Sequence, residues 1–590
     1  MAFQITFLPD NKTVSVEAGT TVLQAEVQAG LRPDAPCGGK GTCGKCRVMV
    51  LSGEHRGSCL ACLTPVTSDM VVQLPHNTHH QVLQSHYLRP VPCRPGFMCL
   101  ALSLGEPTLQ DTRSDWERVQ AAVAQELSCP PEEIRLSLDC LRYLHKTLEQ
   151  SGYAPYVLLY QNQVLQVRSA PFSPLLAAYD IGTTSVVCYL MDGISGETLH
   201  VESMLNRQVS YGADVISRAE FAINGGLDEI SAVIRQELND LLELCCKAVE
   251  RTREDVVLLS IAGNTCMHHL FSGIQPAALL VPPYFPEVRE ALELPAARCG
   301  LQAGQGAILR LLPVIAGFVG ADTSAALLAT SFDELTELSL MVDIGTNGEM
   351  VLGDGRRRIA CSTAAGPALE GAKISCGMRG AEGAIDHVAL ENGDIQFTTI
   401  GGKTPEGICG SGLIDLVAVL LRCGVINKRG RMAKPEEMAH LPALQRRLGR
   451  DEHGTFFLLA EGKDTAAGTP IVLTQTDIRE VQLAKGAIAA GIMLMCDTLG
   501  TTPQDIQRVF IAGAFGNYMD AESACAIGMF PEIDPERVKP VGNAAGAGAQ
   551  LSAMSQEEYR RCSAIAEKTE FLELALHPRF QKAFIHHLDF

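Results

Sequence analysis

Apolar and polar residues alternate at the start of the chain. Phe3, Ile5 and Phe7 face one way and Gln4 and Thr6 the other, the period of a half-buried strand. Val14 and Val16 resume the alternation after a turn at Asp10-Asn11, which predicts a hairpin. Thr21 to Ala29 reads as a helix, and strands are expected at Arg47 to Leu51 and Met70 to Leu74. Residues 1–75 therefore read as a small α+β domain. The periodicity then fades: residues 76–110 mix Pro, His and Gly and read as a linker, with His76, His79 and His80 solvated in it. Ser114-Asp-Trp-Glu117 is a capping box that opens a helix. Pro131 sits in the first turn of a second helix ending before Gly152, and Tyr156 to Tyr160 pairs with Val164 to Val167. These elements predict a middle domain over 111–172 with no visible chemistry.

From about residue 174 the pattern repeats. Asp180-Ile-Gly-Thr-Thr184 follows a strand-like run, and so does Asp343-Ile-Gly-Thr-Asn347. Ile261-Ala-Gly-Asn-Thr265 is answered by Ile511-Ala-Gly-Ala-Phe515. Pro313-Val314, Ala316-Gly317 and Gly320-Ala321 are answered by Pro540-Val541, Ala545-Gly546 and Gly548-Ala549. Three signals in one order, twice, imply two related α/β domains facing each other, at 173–335 and 336–590. The wider spacing in the second half places an insertion between about residues 360 and 475. Within it, Ser362 to Gly371 is a Gly- and Ala-rich stretch suited to a lid, a docking loop or tight packing on a sheet.

Composition narrows the function classes. A length of 590 residues suits about four domains, and 46% hydrophobic with 19% charged residues excludes wholesale disorder. A net charge of −19 argues against nucleic-acid binding, which needs a basic stripe. Met1 to Asp10 has no basic-then-apolar signal pattern, and apolar runs such as Leu311 to Ala321 fall short of the ~20 residues a membrane span needs. A cytoplasmic location without membrane contact is expected. The 21 cysteines then stand as thiols or metal ligands in a reduced compartment. Cys188, Cys496 and Cys525, each in an apolar stretch, read as small buried hydrophobes.

Cys37, Cys43 and Cys46 break that pattern. Five residues separate the first two and two the last, with Gly38, Gly39, Gly41 and Gly44 between. Thiolates at this density suit an iron–sulfur cluster, and glycines let the loop wrap it closely with N–H groups turned to sulfur. On spacing alone the fourth ligand is Cys59 or Cys62, and zinc is the competing metal. The loop resembles that of 2Fe–2S ferredoxin domains, which implies a β-grasp fold. In that family Leu60-Ala-Cys62-Leu-Thr-Pro65 matches the fourth-ligand segment, implying Cys62.

Asp-Ile-Gly-Thr at a strand end has its own chemistry. The glycine lets a tight hairpin approach phosphate, and Thr hydroxyls and backbone N–H groups bind its oxygens. The aspartates, Asp180 and Asp343, suit Mg2+ held through water. Two such hairpins facing each other would clamp a triphosphate. The pattern resembles the superfamily of acetate and sugar kinases, actin and heat-shock chaperone ATPases, with duplicated actin-like, RNase H-like domains. By that resemblance Gly182, Thr183 and Thr184 form the first phosphate loop and Gly345, Thr346 and Asn347 the second. Gly513, Ala514 and Phe515 match the adenosine motif, and Gly546 and Gly548 lie in a connecting segment that borders the cofactor. Asp322, in the other connecting segment, either orients the attacking water or caps a helix.

Closer resemblance covers most of the chain. Tyr211 to Arg218, Ala262 to Thr265, Gly317 to Asp322, Gly407-Ile-Cys-Gly-Ser-Gly-Leu-Ile-Asp415 and Gln482-Leu-Ala-Lys-Gly486 are similar to segments of the reductive activators of corrinoid proteins. Arg207 departs from them, standing where the family segment has Pro. The resemblance implies ATP-dependent transfer of one electron from the 2Fe–2S cluster to cobalt(II) of a partner's corrinoid, regenerating cobalt(I) for methyl transfer. It also implies an external low-potential donor, a corrinoid protein of a methyltransferase system as partner, and a homodimer. Energy input is expected: plant-type clusters sit near about −400 mV, and a mismatch of about 100 mV costs roughly 2.3 kcal/mol per electron. The alternatives are an ATP-driven donor to another low-potential acceptor, such as a radical dehydratase, and a small-molecule kinase with a redox-sensing ferredoxin domain. The helix expected over Asp477 to Cys496 would place Gln482 and Lys485 on the adenine side.

Overall fold

The computed structural model describes residues 2–8, 11–29, 31, 39, 41, 46–74, 88–345, 347–371, 373–452, 454–513 and 518–590. At the N-terminal end a five-stranded sheet runs Lys12–Glu17, Ala2–Leu8, Met70–Gln73, Arg47–Ser52, Gly57–Leu60. The chain's first and last strands in it lie side by side and parallel. The helix Val22–Gln28 starts at a capping box between Thr21 and Gln24 and lays Val22 and Ala25 against Ile5, Phe7, Val50 and Val72. This is the β-grasp arrangement, in which the alternation of Phe3, Ile5 and Phe7 fills the core.

A second sheet orders Phe97–Ala101, Tyr156–Tyr160, Gln163–Arg168 and Arg135–Leu136. Its first strand falls inside the stretch read as linker. Three of that strand's five positions are exposed, so an edge strand held by backbone pairing left no apolar period to read. The helix Asp115–Leu127 opens at the expected capping box of Ser114 and Glu117. The single helix expected after Pro131 is instead a 3-10 turn, a two-residue strand and two short helices, Leu138–Leu141 and Leu144–Gln150. Arg135 and Leu136 pair with Gln163 and Val164, and Ser137 starts a new cap, so sheet pairing overrides helix periodicity there.

The duplicated part follows one plan twice. In the first half the sheet orders Thr198–Leu205, Ser185–Asp192, Leu175–Ile181, Val256–Gly263 and Ile308–Leu311, with Leu292–Pro295 at the far edge. In the second it orders Arg358–Thr363, Gly348–Gly353, Ser339–Ile344, Arg508–Ala512 and Val538–Gly542, with Thr569–Phe571 at the near edge. The halves share one core. Val187, Ala325, Met341, Val351, Ala512 and Ala549 belong to the same buried cluster. The helices Ala321–Ala329 and Ala544–Met554 meet there so closely that a Cβ on Gly548 would lie 2.1 Å from the Ala325 carbonyl oxygen.

The insertion carries two three-stranded sheets and the helix Gly410–Arg422. Ser362 to Gly371 lies in its first part, where Ala365, Ala368 and Leu369 are core residues. The helix Gln475–Leu499 is long and apolar enough to cross a membrane, but 78% of its most apolar window is buried inside the protein. It is a core helix. Gln482 and Lys485 on it are both buried and donate to the backbone oxygens of Leu588 and Asp589.

Candidate functional site

The first hairpin turns between Leu175–Ile181 and Ser185–Asp192, with Asp180 facing Val187 across the pair. The N–H of Gly182 donates to the Ser185 carbonyl at 2.9 Å, and a Cβ on Gly182 would crowd that oxygen at 2.9 Å. Side chains behind the loop fix it. Asn206 Nδ2 donates to the Gly182 carbonyl at 2.8 Å, Arg218 Nη2 to the Thr183 carbonyl at 2.6 Å, and Asn264 Nδ2 to Thr183 Oγ1 at 3.0 Å. Arg218 is wholly buried, which draws its pKa down to about 10. At Arg207 the backbone N–H donates to Glu237 Oε2 at 2.9 Å, a bond the expected proline has no hydrogen to make.

The second hairpin turns between Ser339–Ile344 and Gly348–Gly353, with Asp343 facing Glu349. Gly345 N–H donates to the Asn347 carbonyl at 2.9 Å. Beside it, Gly513 has φ +88°, and a Cβ there would lie 2.8 Å from Asp343 Oδ1. Glycine is thus required on both conformational and steric grounds.

Both hairpins open onto one cleft of about 280 Å³. It brings together Asp180, Gly182, Thr183, Thr184, Asp322, Asp343, Gly345, Asn347 and Gly513. Thr346, Ala514 and Phe515 lie outside the described residues. Gly546 and Gly548 are not among the residues that line the cleft, though Asn543 and Ala545 beside them are. A Cβ on Gly546 would lie 2.6 Å from the Tyr189 hydroxyl, and Gly548 abuts the Ala325 backbone, so both glycines serve helix packing. Asp322 lies in the first turn of Ala321–Ala329 and accepts from Thr323 N–H at 2.7 Å while lining the cleft.

The cleft concentrates acid. Burial pushes Asp180 up to about 7, against a hydrogen bond from Asn543 Nδ2 at 2.8 Å, with the Asp322 charge adding to the rise. Burial also lifts Asp343 to about 7, reinforced by Asp322, Asp180 and Glu370. Asp322 rises to about 6 and Glu349 further, again chiefly through burial. Carboxylates crowded like this outnumber the cations among the described lining residues, and their all-oxygen donor set fits a hard divalent cation such as Mg2+.

Several residues here were not singled out from the sequence. Glu349 and Glu370 add acid, Arg379 adds the one cation among the described lining residues, and Asn543 both caps Ala544–Met554 and holds Asp180. Glu349 had a signal: counted from the aspartate of each repeat it stands where the first hairpin has Val186, an acid in an apolar place. Arg218 and Asn206 stood in recognisable segments but carried no legible role.

At the N-terminal domain, Cys37 and Cys43 lie outside the described residues. Cys46 and Cys62 are buried side by side, with Ala61 N–H donating to the Cys46 carbonyl at 2.7 Å. Gly39 (φ +83°) lies against Leu23 and Cys62, and Gly41 (φ +74°) against Leu63. A Cβ on Gly39 would come within 3.9 Å of Cys62 Cβ, and one on Gly41 within 3.0 Å of Leu63. Cys59 lies on Gly57–Leu60, opposite Val48. Thiols beside a glycine-rich loop with left-handed turns suit an iron–sulfur cluster.

Family models match the chain in order. They are a 2Fe-2S iron-sulfur cluster binding domain over residues 5–67, the RACo linker region over 87–171, the RACo middle region over 175–335 and the C-terminal ASKHA domain of RACo over 337–590. The corrinoid activation enzyme RamQ of Eubacterium limosum is 34% identical over 580 residues, 97% of this chain and 96% of that one. The chain belongs to the RACo family, the reductive activators of corrinoid proteins. A solved RACo-type structure, a reductive activator for a corrinoid, iron–sulfur protein, matches with a TM-score of 0.76 at 31% identity, covering 100% of this chain and 98% of that chain. A reductase of Methanosarcina barkeri specific for the Co(II) methylated-amine corrinoid protein is 27% identical over 70% of this chain and 76% of its own length. In RACo terms the N-terminal sheet is the 2Fe–2S domain, the first facing half is the middle region and the second is the ASKHA domain.

Proposed function

We propose that this chain reductively activates a corrinoid protein in an ATP-dependent reaction, returning cobalt(II) of the partner's corrinoid to cobalt(I). One observation carries the reading. A single polypeptide joins a ferredoxin-type cysteine loop to two Asp-Ile-Gly-Thr hairpins that face one acidic cleft, and it does so along the whole length of a corrinoid activation enzyme.

Each residue has a role in that reading. The N–H groups and hydroxyls of Thr183 and Thr184 and the N–H of Asn347 bind phosphate oxygens. Asp180 and Asp343 hold Mg2+ through water, and Asp322 orients the attacking water. Gly513 lets the chain pass beside Asp343, and its neighbours Ala514 and Phe515 take the adenosine. Cys37, Cys43, Cys46 and Cys62 hold the 2Fe–2S cluster, which when bound supplies one electron at low potential. Nucleotide moves the equilibrium between open and closed arrangements of the two halves only so far as it binds them unequally. The partner belongs to a methyltransferase system, an external low-potential donor refills the protein, and the working form is a cytoplasmic homodimer.

The test uses anaerobically purified protein, a chemical reductant and a cobalt(II) corrinoid protein from the same organism. Visible spectra are recorded before and after MgATP. A cobalt(I) band that requires both ATP and Cys37 supports the reading. Equal cobalt(I) without ATP sinks the ATP-dependent step, and ATP turnover with no cobalt(I) sends the electron to another acceptor.

A further inference from the structure

The insertion of the second half sends one charged arm back into the cleft. Met378, Arg379 and Gly380 all line it. The backbone around them is pinned: Met378 N–H donates to the Ile408 carbonyl at 2.9 Å, and Gly377 bridges to the same residue. A Cβ on Gly371 would lie 2.2 Å from the Met378 carbonyl oxygen, so the segment is folded tightly on itself. Arg379 is therefore presented by fixed backbone.

Its surroundings lack what a structural arginine has. Asp180, Asp322, Asp343, Glu349 and Glu370 line the same cleft, yet Arg379 makes no ion pair or hydrogen bond among the described residues. Compare Arg218, whose guanidinium is spent on the Gly212 and Thr183 carbonyls behind the first loop. Arg379 nonetheless lies near enough to Arg218 for its charge to oppose protonation there. A residue from the second half's insertion thus comes within electrostatic reach of the arginine that braces the first phosphate loop. A guanidinium without a partner among the described residues, set among carboxylates that Mg2+ would neutralise, is placed for an anion, and its planar fork matches phosphate oxygens.

We propose that Arg379 is a catalytic residue for ATP hydrolysis, contacting the terminal phosphate of bound MgATP across the cleft. The inference rests on the nucleotide reading of the cleft and adds a residue to it. In the step, a water oxygen bonds to the γ-phosphorus and the bond to the β,γ-bridging oxygen breaks. The electron pair stays with ADP, and the water's proton passes to solvent. The γ-phosphoryl oxygens carry charge as the bond breaks, and a fixed guanidinium stabilises it. Arg379 arises from a segment without counterpart in the first half, so the duplicated frame binds the nucleotide and the insertion supplies the group that reads its last phosphate.

The experiment compares full-length wild-type protein with Arg379→Gln, Arg379→Lys and Arg379→Ala. It measures steady-state MgATP hydrolysis, MgADP and MgATP affinity by calorimetry, the cluster's visible spectrum and thermal stability. Expected are a fall in kcat of about 10²–10³-fold for Arg379→Gln, MgADP affinity within about twofold, and an unchanged spectrum. Added guanidinium should restore part of the Arg379→Ala rate, which a loss of folding would not allow. Hydrolysis by both Arg379→Gln and Arg379→Lys within about twofold of wild type overturns the proposal, as does a fall in kcat matched by lost MgADP binding and no rescue. Wild-type protein that binds neither nucleotide overturns the reading of the cleft itself, a result distinct from a silent Arg379.

Discussion

Across the first hairpin an aspartate faces a valine, and across the second an aspartate faces a glutamate: Asp180 with Val187, Asp343 with Glu349. A glycine N–H closes each turn, onto the carbonyl three residues on in the first and two residues on in the tighter second. The side chains around the two turns differ. Three donors of the first half, Asn206, Arg218 and Asn264, hold the first loop from behind. The second loop instead has neighbours that bear charge into the cleft, Glu370 and Arg379, delivered by the insertion. Duplication preserves what phosphate contact demands of the main chain, a turn with open N–H groups. It leaves the facing positions free to diverge. The first half has become a rigid platform, and the second holds the charges a metal and a triphosphate would rearrange.

Removing the two aspartates in turn gives the largest effect and tests this division. Asp343→Ala is expected to lower the kcat for MgATP hydrolysis by about 10²–10³-fold, the loss typical of one preorganised electrostatic group. It should also raise the Mg2+ concentration needed for half-maximal rate. Asp180→Ala should cost less and shift the Mg2+ dependence less, because Asn543 already satisfies one of its oxygens. Equal losses and equal Mg2+ shifts, read from steady-state rates across a Mg2+ titration, would erase the distinction between the halves.

The platform itself is next. Arg218→Met leaves the buried carbonyls of Thr183 and Gly212 without their donor. Each unmet acceptor costs about 1–3 kcal/mol. The expected result is a clear fall in stability by chemical denaturation together with weakened nucleotide binding. Stability lost with nucleotide affinity intact would mean that Arg218 braces the fold but not the loop.

Much of this was legible in the chain. The repeated Asp-Ile-Gly-Thr signals, the β-grasp alternation and the cysteine spacing are local patterns, and local patterns survive in sequence. What sequence hid depends on contacts between distant segments. Gly546 and Gly548 sit in a run that reads as a connecting segment beside the cofactor, and their packing contacts, Tyr189 and Ala325, are far away in the chain. The hydrogen bonds of Gln482 and Lys485 to the C-terminal residues were hidden for the same reason. The edge strand Phe97–Ala101 left no alternation because its exposed side chains select for none. Arg379 gave no signal at all: an arginine between Met378 and Gly380 gains meaning only when the cleft gathers acids from both halves.

Smaller in effect is the exchange that makes the second hairpin resemble the first. Glu349→Val removes a carboxyl that burial already pushes toward its neutral form. Stability without ligand should rise slightly, and the Mg2+ requirement for ATP hydrolysis should increase by a few-fold at most. An Mg2+ dependence as altered as in Asp343→Ala would make Glu349 an equal partner in holding the metal.

The finest distinction is one of pH. An unfolded aspartate has a pKa near about 3.9, whereas folded Asp180 and Asp343 are both raised to about 7. Between those values the folded state keeps protons that the unfolded chain has released. Stability from these groups therefore falls as pH rises through about 4 to 7, and it is lowest above 7. Neutral isosteres remove that penalty. Without nucleotide or Mg2+ at pH 8, Asp343→Asn should melt higher than wild type by about 2–4 °C, the shift that about 1 kcal/mol gives a domain of 150–250 residues. Asp180→Asn should gain less, since Asn543 donates to the ionised form of Asp180, while Asp343 faces Asp322, Asp180 and Glu370. Both gains should shrink at pH 5, where the folded carboxyls are already protonated, and Mg2+ at pH 8 should stabilise wild type more than Asp343→Asn. Melting curves at the two pH values, with and without Mg2+, decide it. Equal gains for both variants at pH 8 would show that burial alone, the same in both halves, sets these pKa values.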